Sequence, residues 1–158
     1  MANLPLPVWK VVRPLTRLYY RLSRPMTVGV RGLVRDEAGR VLLVRHSYVD
    51  GWYLPGGGVE RAETAFVAIT RELDEEAGII LTRPPKLVGL YANFREFKSD
   101  HVVLFLVEPG SYERVARRSF EIAEYDFFAP DALPDGTTPG TRARIREMAE
   151  GSPQPELW

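Results

Sequence analysis

Runs of β-branched and aromatic residues alternate along the chain with segments whose apolar residues recur at helical spacing. The runs predict five strands, which lie at 27–36, 39–46, 87–94, 101–108 and 124–128. A further short strand is predicted within 51–60, where it breaks into a glycine run. The first two strands are separated by little more than the turn DEAG at 36–39, so they are predicted to pair as a β-hairpin.

Two segments carry the helical period. One spans 64–77 and is predicted to end at Gly78, because glycine readily adopts the left-handed conformation of a helix C-cap. The second lies near 140–149, and its arginines are expected to form a solvated face. This order of strands and helices indicates an α/β (α+β) fold with a mixed central sheet and helices packed against it.

Residues 1–25 form a separate basic segment. Within 8–24, Lys10 and four arginines recur every three or four residues, opposite an apolar stripe. Such an amphipathic helix lies on an anionic membrane surface, or it docks on its own domain or on the partner subunit of a homodimer. Docking is the preferred interpretation because soluble amphipathic helices are commoner. The domain itself is expected at 26–150, followed by a loose tail at 151–158.

Composition narrows the class of protein. The 158 residues include 21 Lys plus Arg and 21 Asp plus Glu, so no global charge points to a nucleic-acid partner. The absence of cysteine excludes disulfides and thiolate chemistry. No apolar run reaches the ~18 to 20 residues of a transmembrane helix, and basic residues interrupt any signal-peptide core. A cytoplasmic protein is therefore expected.

The first predicted helix carries an acidic cluster. At 100° per residue, Glu72, Glu75 and Glu76 share an arc of about 100°, in which like charges repel. A divalent ion such as Mg²⁺ or Mn²⁺ would turn that repulsion into coordination, because carboxylate oxygens are hard ligands. Arg71 can fix one carboxylate by a forked hydrogen bond. Upstream, the glycine run 56–58 would let the backbone approach a ligand closely.

These features belong to one continuous pattern. In GGVERAETAFVAITRELDEEAGI, residues 57–79, five residues separate Gly57 from Glu63 and seven separate Glu63 from REL. The segment matches every fixed position of the 23-residue Nudix box, GX5EX7REUXEEXGU with U apolar. Chance agreement is on the order of one in 10⁹ per starting position. The chain thus resembles the Nudix (MutT-like) hydrolase family, specifically over these residues and more loosely from Met26 to Met148.

The resemblance implies an α/β/α sandwich that hydrolyses a nucleoside diphosphate linked to another moiety, X, with Mg²⁺ or Mn²⁺. It implies that Glu72, Glu75 and Glu76 bind the metal and that one glutamate of the site activates water. Arg71 would orient that group, and Glu63 would brace the loop and helix.

Other site residues follow from the resemblance or from residue chemistry. The backbone carbonyl of Gly56 matches a position that often ligates metal in similar enzymes, and some members use a further acid from a late loop, here Glu121 or Glu124. Gly57 and Gly58 are expected at the substrate. Arg45 either reaches a phosphate or is an exposed edge arginine. Trp52, Tyr53 and Tyr91 either stack on a base or belong to the core, and the core is preferred because aromatic residues at strand ends are more often buried. His46 is expected to be a loop histidine and His101 a structural one.

The identity of X is left open by the sequence. Relatives that hydrolyse ADP-ribose often carry a proline about sixteen residues past the box, and those acting on dinucleoside polyphosphates carry a tyrosine there. This chain has FREF at 94–97, which disfavours both classes. The alternatives are house-cleaning hydrolysis of (oxidised) NTPs or dNTPs, and a nucleotide-binding regulatory module. The intact set of box carboxylates favours an enzyme.

Overall fold

A three-stranded mixed sheet lies at the centre of the molecule. The computed structural model describes residues 26–95, 99–117, 119–151 and 156–158, so the basic segment predicted at 1–25 lies outside the described residues. The strands are β1 Thr27–Val34, β2 Val41–His46, β3 Ile79–Leu81, β4 Lys86–Ala92, β5 Asp100–Val107, β6 Tyr112–Arg114 and β7 Ile122–Phe128. The helices are α1 Ala65–Ala77 and α2 Pro139–Glu150. Of the helices that the structure describes, neither has the length and apolar character needed to span a membrane.

The seven described strands form one three-stranded sheet and two two-stranded sheets. The central sheet has the order β1-β5-β4, with β1 parallel and β4 antiparallel to β5. Strands β2 and β7 form an antiparallel pair, and β3 and β6, which were not predicted, form a short ribbon. The mixed sheet expected from the element order is confirmed.

The predicted hairpin between β1 and β2 is wrong. A tight turn does connect the strands, since the Asp36 N–H donates to the Arg40 carbonyl at 3.0 Å. The strands then separate after the single bridge between Arg35 and Val41. The reason is the segment 53–59, which lies between them. It bonds to β2 where the Val44 N–H donates to the Tyr53 carbonyl, and to β1 where the Gly32 N–H donates to the Pro55 carbonyl.

The two helices cover opposite faces of the central sheet. Helix α1 packs over β1, where Gly32 leaves room, because a Cβ at Gly32 would lie 3.0 Å from Leu73 Cδ2. Ile69 and Leu73 are fully buried in this layer. On the other face, Ile145 of α2 packs into a second apolar cluster with Leu104 of β5. The arrangement is the expected α/β/α sandwich.

Two expectations near the end of the chain need correction. Residues 156–158 of the predicted loose tail are docked on the edge of β4, with the Ala92 N–H donating to the Glu156 carbonyl at 2.9 Å. Arg144 of α2 is only 1% exposed, so it does not belong to a solvated face. Its guanidinium donates to Glu147 Oε1 at 2.6 Å and lies 4.2 Å from the Tyr91 ring centroid.

Candidate active site

Helix α1 presents the three box carboxylates to different surroundings. Its N-cap is Thr64, whose Oγ1 accepts from the Val67 N–H at 3.2 Å, and its C-cap is Gly78 in the left-handed conformation. The Glu72 and Glu76 side chains are 14% and 8% exposed, whereas Glu75 is 61% exposed. The helix therefore supplies one buried acid, Glu76, one half-buried acid, Glu72, and one that faces solvent, Glu75.

Glu76 is the most deeply buried carboxylate of this group. Its Oε2 accepts from the Gly56 N–H at 2.7 Å, and its Oε1 lies 3.7 Å from His46 Nε2. Burial raises the pKa of Glu76 to about 7, and the negative charges of Glu72 and Glu121 act in the same direction. Burial likewise raises the pKa of Glu72. Burial disfavours the charged forms of both carboxylates, and a cation bound between them would stabilise those charged forms.

Arg71 ties the loop to the helix. Its Nε and Nη2 donate to the two carboxylate oxygens of Glu63 at 3.0 and 3.1 Å, a forked pair. Its Nη1 donates to Glu72 Oε1 at 2.8 Å and reaches Glu75 Oε2 at 3.4 Å. The Glu60 N–H also donates to Glu63, at 2.9 Å. One guanidinium thus contacts three of the acids predicted in the site.

The glycine run brings the backbone against these side chains. Gly56 has φ of 140°, and a Cβ there would overlap the Val30 carbonyl, so only glycine fits. At Gly57 a Cβ would overlap Glu72 Oε1. The Gly58 carbonyl accepts from Arg71 Nη2 at 3.3 Å. The close approach predicted for this run is therefore directed at the acidic helix.

Arg31 and His46 belong to the site although the sequence did not single them out for it. The Arg31 guanidinium donates to the carbonyls of Gly56 and, at 3.2 Å, Leu54. Burial, and then the Arg31 charge, lower the pKa of His46, so the imidazole is neutral at pH 7. A charged residue inside the apolar strand β1 was the available signal for Arg31; His46 offered none beyond its position at the end of β2.

The remaining predicted site residues, Arg45, Glu121 and Glu124, lie at different places in the structure. Arg45 donates to Glu124 Oε2 at 2.6 Å on an exposed surface, and neither side chain lines the cleft described below. Glu121 lies close enough to Glu76 and His46 for its negative charge to raise the pKa of both side chains. Its backbone carbonyl accepts from the Ser47 N–H at 2.8 Å. Glu124 lines a second cavity together with Glu76, so both late acids lie on the side of the acidic helix that carries Glu76.

A cleft of about 550 Å³ opens beside the glycine run. This volume suits a small organic ligand. Gly57, Gly58, Arg31 and His46 line one end of the cleft. Farther along the cleft, the lining includes Thr27, Tyr53, Asn93, Asp100 and Trp158. Trp52 and Tyr91 are core residues as expected, whereas Tyr53 reaches the cleft.

The donor chemistry fits a hard divalent ion. Glu72 and Glu76 offer carboxylate oxygens, and Glu75 offers a third carboxylate from the exposed side of α1. Within the described part of the chain, no three acidic or imidazole groups converge closely enough to enclose an ion by themselves. Such an incomplete set agrees with Mg²⁺, which usually binds one or two carboxylates and fills its shell with water and substrate phosphates.

Known proteins with similar sequences and a similar fold match about four fifths of this chain. The chain is 28% identical over 126 residues to a Bacillus subtilis protein provisionally named 8-oxo-dGTP diphosphatase, covering 80% of this chain and 82% of the relative. It is 28% identical over 130 residues to a Methanocaldococcus jannaschii protein named ADP-ribose pyrophosphatase, covering 79% and 75%. The crystal structure of a MutT NUDIX hydrolase from Burkholderia pseudomallei superposes with a TM-score of 0.63 at 26% identity, covering 78% and 98%.

The family comparison spans nearly the whole described domain. The family model described as "NUDIX domain" matches residues 25–148. That range includes the complete box at 57–79, all seven described strands, helix α1 and α2 except for its last two residues. The chain is a member of the NUDIX family of hydrolases, pyrophosphatases that act on phosphorus-containing anhydrides.

Proposed function

We propose that this enzyme hydrolyses the diphosphate linkage of a nucleoside diphosphate joined to a second group, X, with Mg²⁺ as cofactor and Mn²⁺ as a substitute. One observation carries the proposal: the cleft runs directly from the box glycines at its one end. There Gly57 touches Glu72, and Gly56 holds Glu76 by its N–H.

In this proposal Glu72, Glu75, Glu76 and Glu121 supply the acidic ligands of the ion. Because no three described acidic groups converge in this structure, more than two of them would reach one ion only after side-chain movement. The ion supplies neutralisation of the diphosphate charge and a water of lowered pKa. The Gly56 carbonyl accepts from Arg31 in this structure, so its use as a ligand requires Arg31 to move. Arg31 lines the cleft together with Arg95 and, being the one that contacts Gly56, is the cation proposed for the diphosphate, the role that the sequence left open for Arg45.

The side chains around the ion have different roles in the proposed hydrolysis. Glu72 and Glu75 are the candidates for the base that removes the proton from the attacking water. Arg71 holds Glu72 in place and contacts Glu75, and Glu63 in turn fixes Arg71. His46, neutral beside Glu76, adds no charge that would compete with a cation.

The substrate class is tested by a hydrolysis panel. NTPs, dNTPs, oxidised guanine nucleotides, ADP-ribose, nucleotide sugars and dinucleoside polyphosphates are each incubated with enzyme and Mg²⁺, and product phosphate or nucleotide is measured. We expect one class of nucleoside diphosphate-X compounds to be preferred and all activity to disappear with EDTA. Preference for oxidised dNTPs would select the house-cleaning alternative, in line with the name of the B. subtilis relative. Absence of hydrolysis despite measured nucleotide binding would favour a regulatory module.

A further inference from the structure

The segment 156–158 is fixed on the edge of the central sheet. Leu157 forms a parallel bridge with Ala92 of β4, and the Trp158 N–H donates to the Ala92 carbonyl at 3.0 Å. The Arg144 guanidinium donates to the Leu157 carbonyl at 3.0 Å. These backbone contacts place the Trp158 indole at a defined position between β4 and α2.

The indole packs against two elements, with one contact to β4 and two to α2. Its ring centroid lies 5.7 Å from that of Tyr91 at an interplanar angle of 76°, and 5.6 Å from the Arg144 guanidinium carbon. At the start of α2, a Cβ on Gly140 would lie 2.5 Å from Trp158 Nε1, so the absence of a side chain there lets the indole approach. A side chain held on this many sides retains little rotational freedom, which reduces the entropic cost of binding a ligand against it.

Trp158 also forms part of the wall of the cleft that begins at the box glycines. The same wall includes Asn93, which directly follows β4, and Asp100, the first residue of β5. Asp100 is 9% exposed; its Oδ2 accepts from Asn93 Nδ2 at 2.8 Å, and its Oδ1 accepts from Thr27 Oγ1 at 2.7 Å. A rigid aromatic surface beside a fixed group of polar atoms is suited to a planar heterocycle with a polar edge.

We propose that Trp158, delivered by the docked segment 156–158, forms the base subsite of this cleft and stacks on the heterocycle of a nucleotide. Asn93 and Asp100 lie along the polar edge of that heterocycle, and the diphosphate extends to Arg31 and the glycine run. This inference rests on the proposed function, because it takes the glycine end of the cleft as the diphosphate site.

The test separates base binding from diphosphate binding. Isothermal titration with Mg²⁺ measures the affinity of the wild type for ADP, GDP, CDP, UDP and inorganic pyrophosphate. Trp158→Leu keeps apolar bulk but removes the aromatic face, Trp158→Phe restores an aromatic ring, and Leu157→Ala is the matched control. Leu157 lies in the same segment, is 57% exposed and does not line the cleft. Thermal melting verifies that each variant is folded.

We expect Trp158→Leu to weaken the tightest nucleoside diphosphate by about 5- to 150-fold, the range for stacking on one base, with pyrophosphate affinity unchanged. Trp158→Phe should recover part of the loss, and Leu157→Ala should bind like wild type. Equal losses for pyrophosphate and nucleotide would show a merely structural role and overturn the inference, as would no loss at all. A selective loss in a protein that hydrolyses nothing in the panel would overturn the proposed function instead.

Discussion

Two neighbouring glycines of the cleft have different surroundings. A Cβ at Gly57 would overlap Glu72 Oε1, whereas a Cβ at Gly58 meets no atom within 4 Å. Gly57→Ala should therefore displace Glu72 and lower kcat/KM by about 10- to 100-fold, a size typical of a mispositioned catalytic group. Gly58→Ala is the matched comparison and should lose far less. Steady-state kinetics on the preferred substrate measures both, and equal losses would contradict the role of this contact.

At Glu76 the pKa gives a pH dependence of stability. In metal-free protein its pKa is about 7, above the ordinary 4.5, so the folded state holds a proton that the unfolded state releases between these values. The contribution is present in full below pH ~4.5 and is lost as the pH rises through ~7. Glu76→Gln should remove this loss, on the order of 1 to 3 kcal/mol. Urea unfolding in EDTA from pH 4.5 to 8 measures it; parallel curves for the two proteins would refute the assignment.

At the scale of elements, α2 is held to β4 by a buried cation. Arg144 is 1% exposed and pairs with Glu147 while covering the Tyr91 ring. Arg144→Met should lower the free energy of unfolding by about 3 kcal/mol, because it leaves Glu147 buried without its partner. The double variant Arg144→Met/Glu147→Met should regain part of this loss. Urea unfolding of both variants provides the measurement, and a double variant less stable than the single one would contradict it.

The same element scale shows which parts of the fold the sequence specifies. Both helices could be predicted because their apolar period and C-cap glycines are local signals, as at Gly78 and Gly151. The pairing of β1 could not be predicted in the same way, because it depends on residues distant in sequence. It was decided by hydrogen bonds from Val30 and Gly32 to residues 55–57, which enter between β1 and β2 from later in the chain. The docking of 156–158 is likewise a long-range contact that a short, proline-containing tail does not reveal.

For the whole molecule, the candidate site combines one local motif with distant residues. The box carboxylates, Arg71 and Glu63 could be identified from spacing within a single helix and its preceding loop. Arg31 and Trp158 could not, because they reach the cleft from the first strand and the end of the chain through the order of the sheet. The sequence pointed to Arg45 instead of Arg31 as the residue that contacts phosphate. The direction of a side chain at the end of a strand depends on how that strand pairs, and β2 pairs with β7.

The most direct test of the central claim is the rate at which Glu75→Gln hydrolyses the preferred substrate at saturating Mg²⁺, relative to wild type. Glu75 is 61% exposed, so its loss should leave the fold and melting temperature unchanged. We expect a rate lower by at least about 10²-fold, since the site loses a carboxylate for metal binding or proton transfer. A rate equal to that of the wild type would contradict metal-dependent hydrolysis at these glutamates.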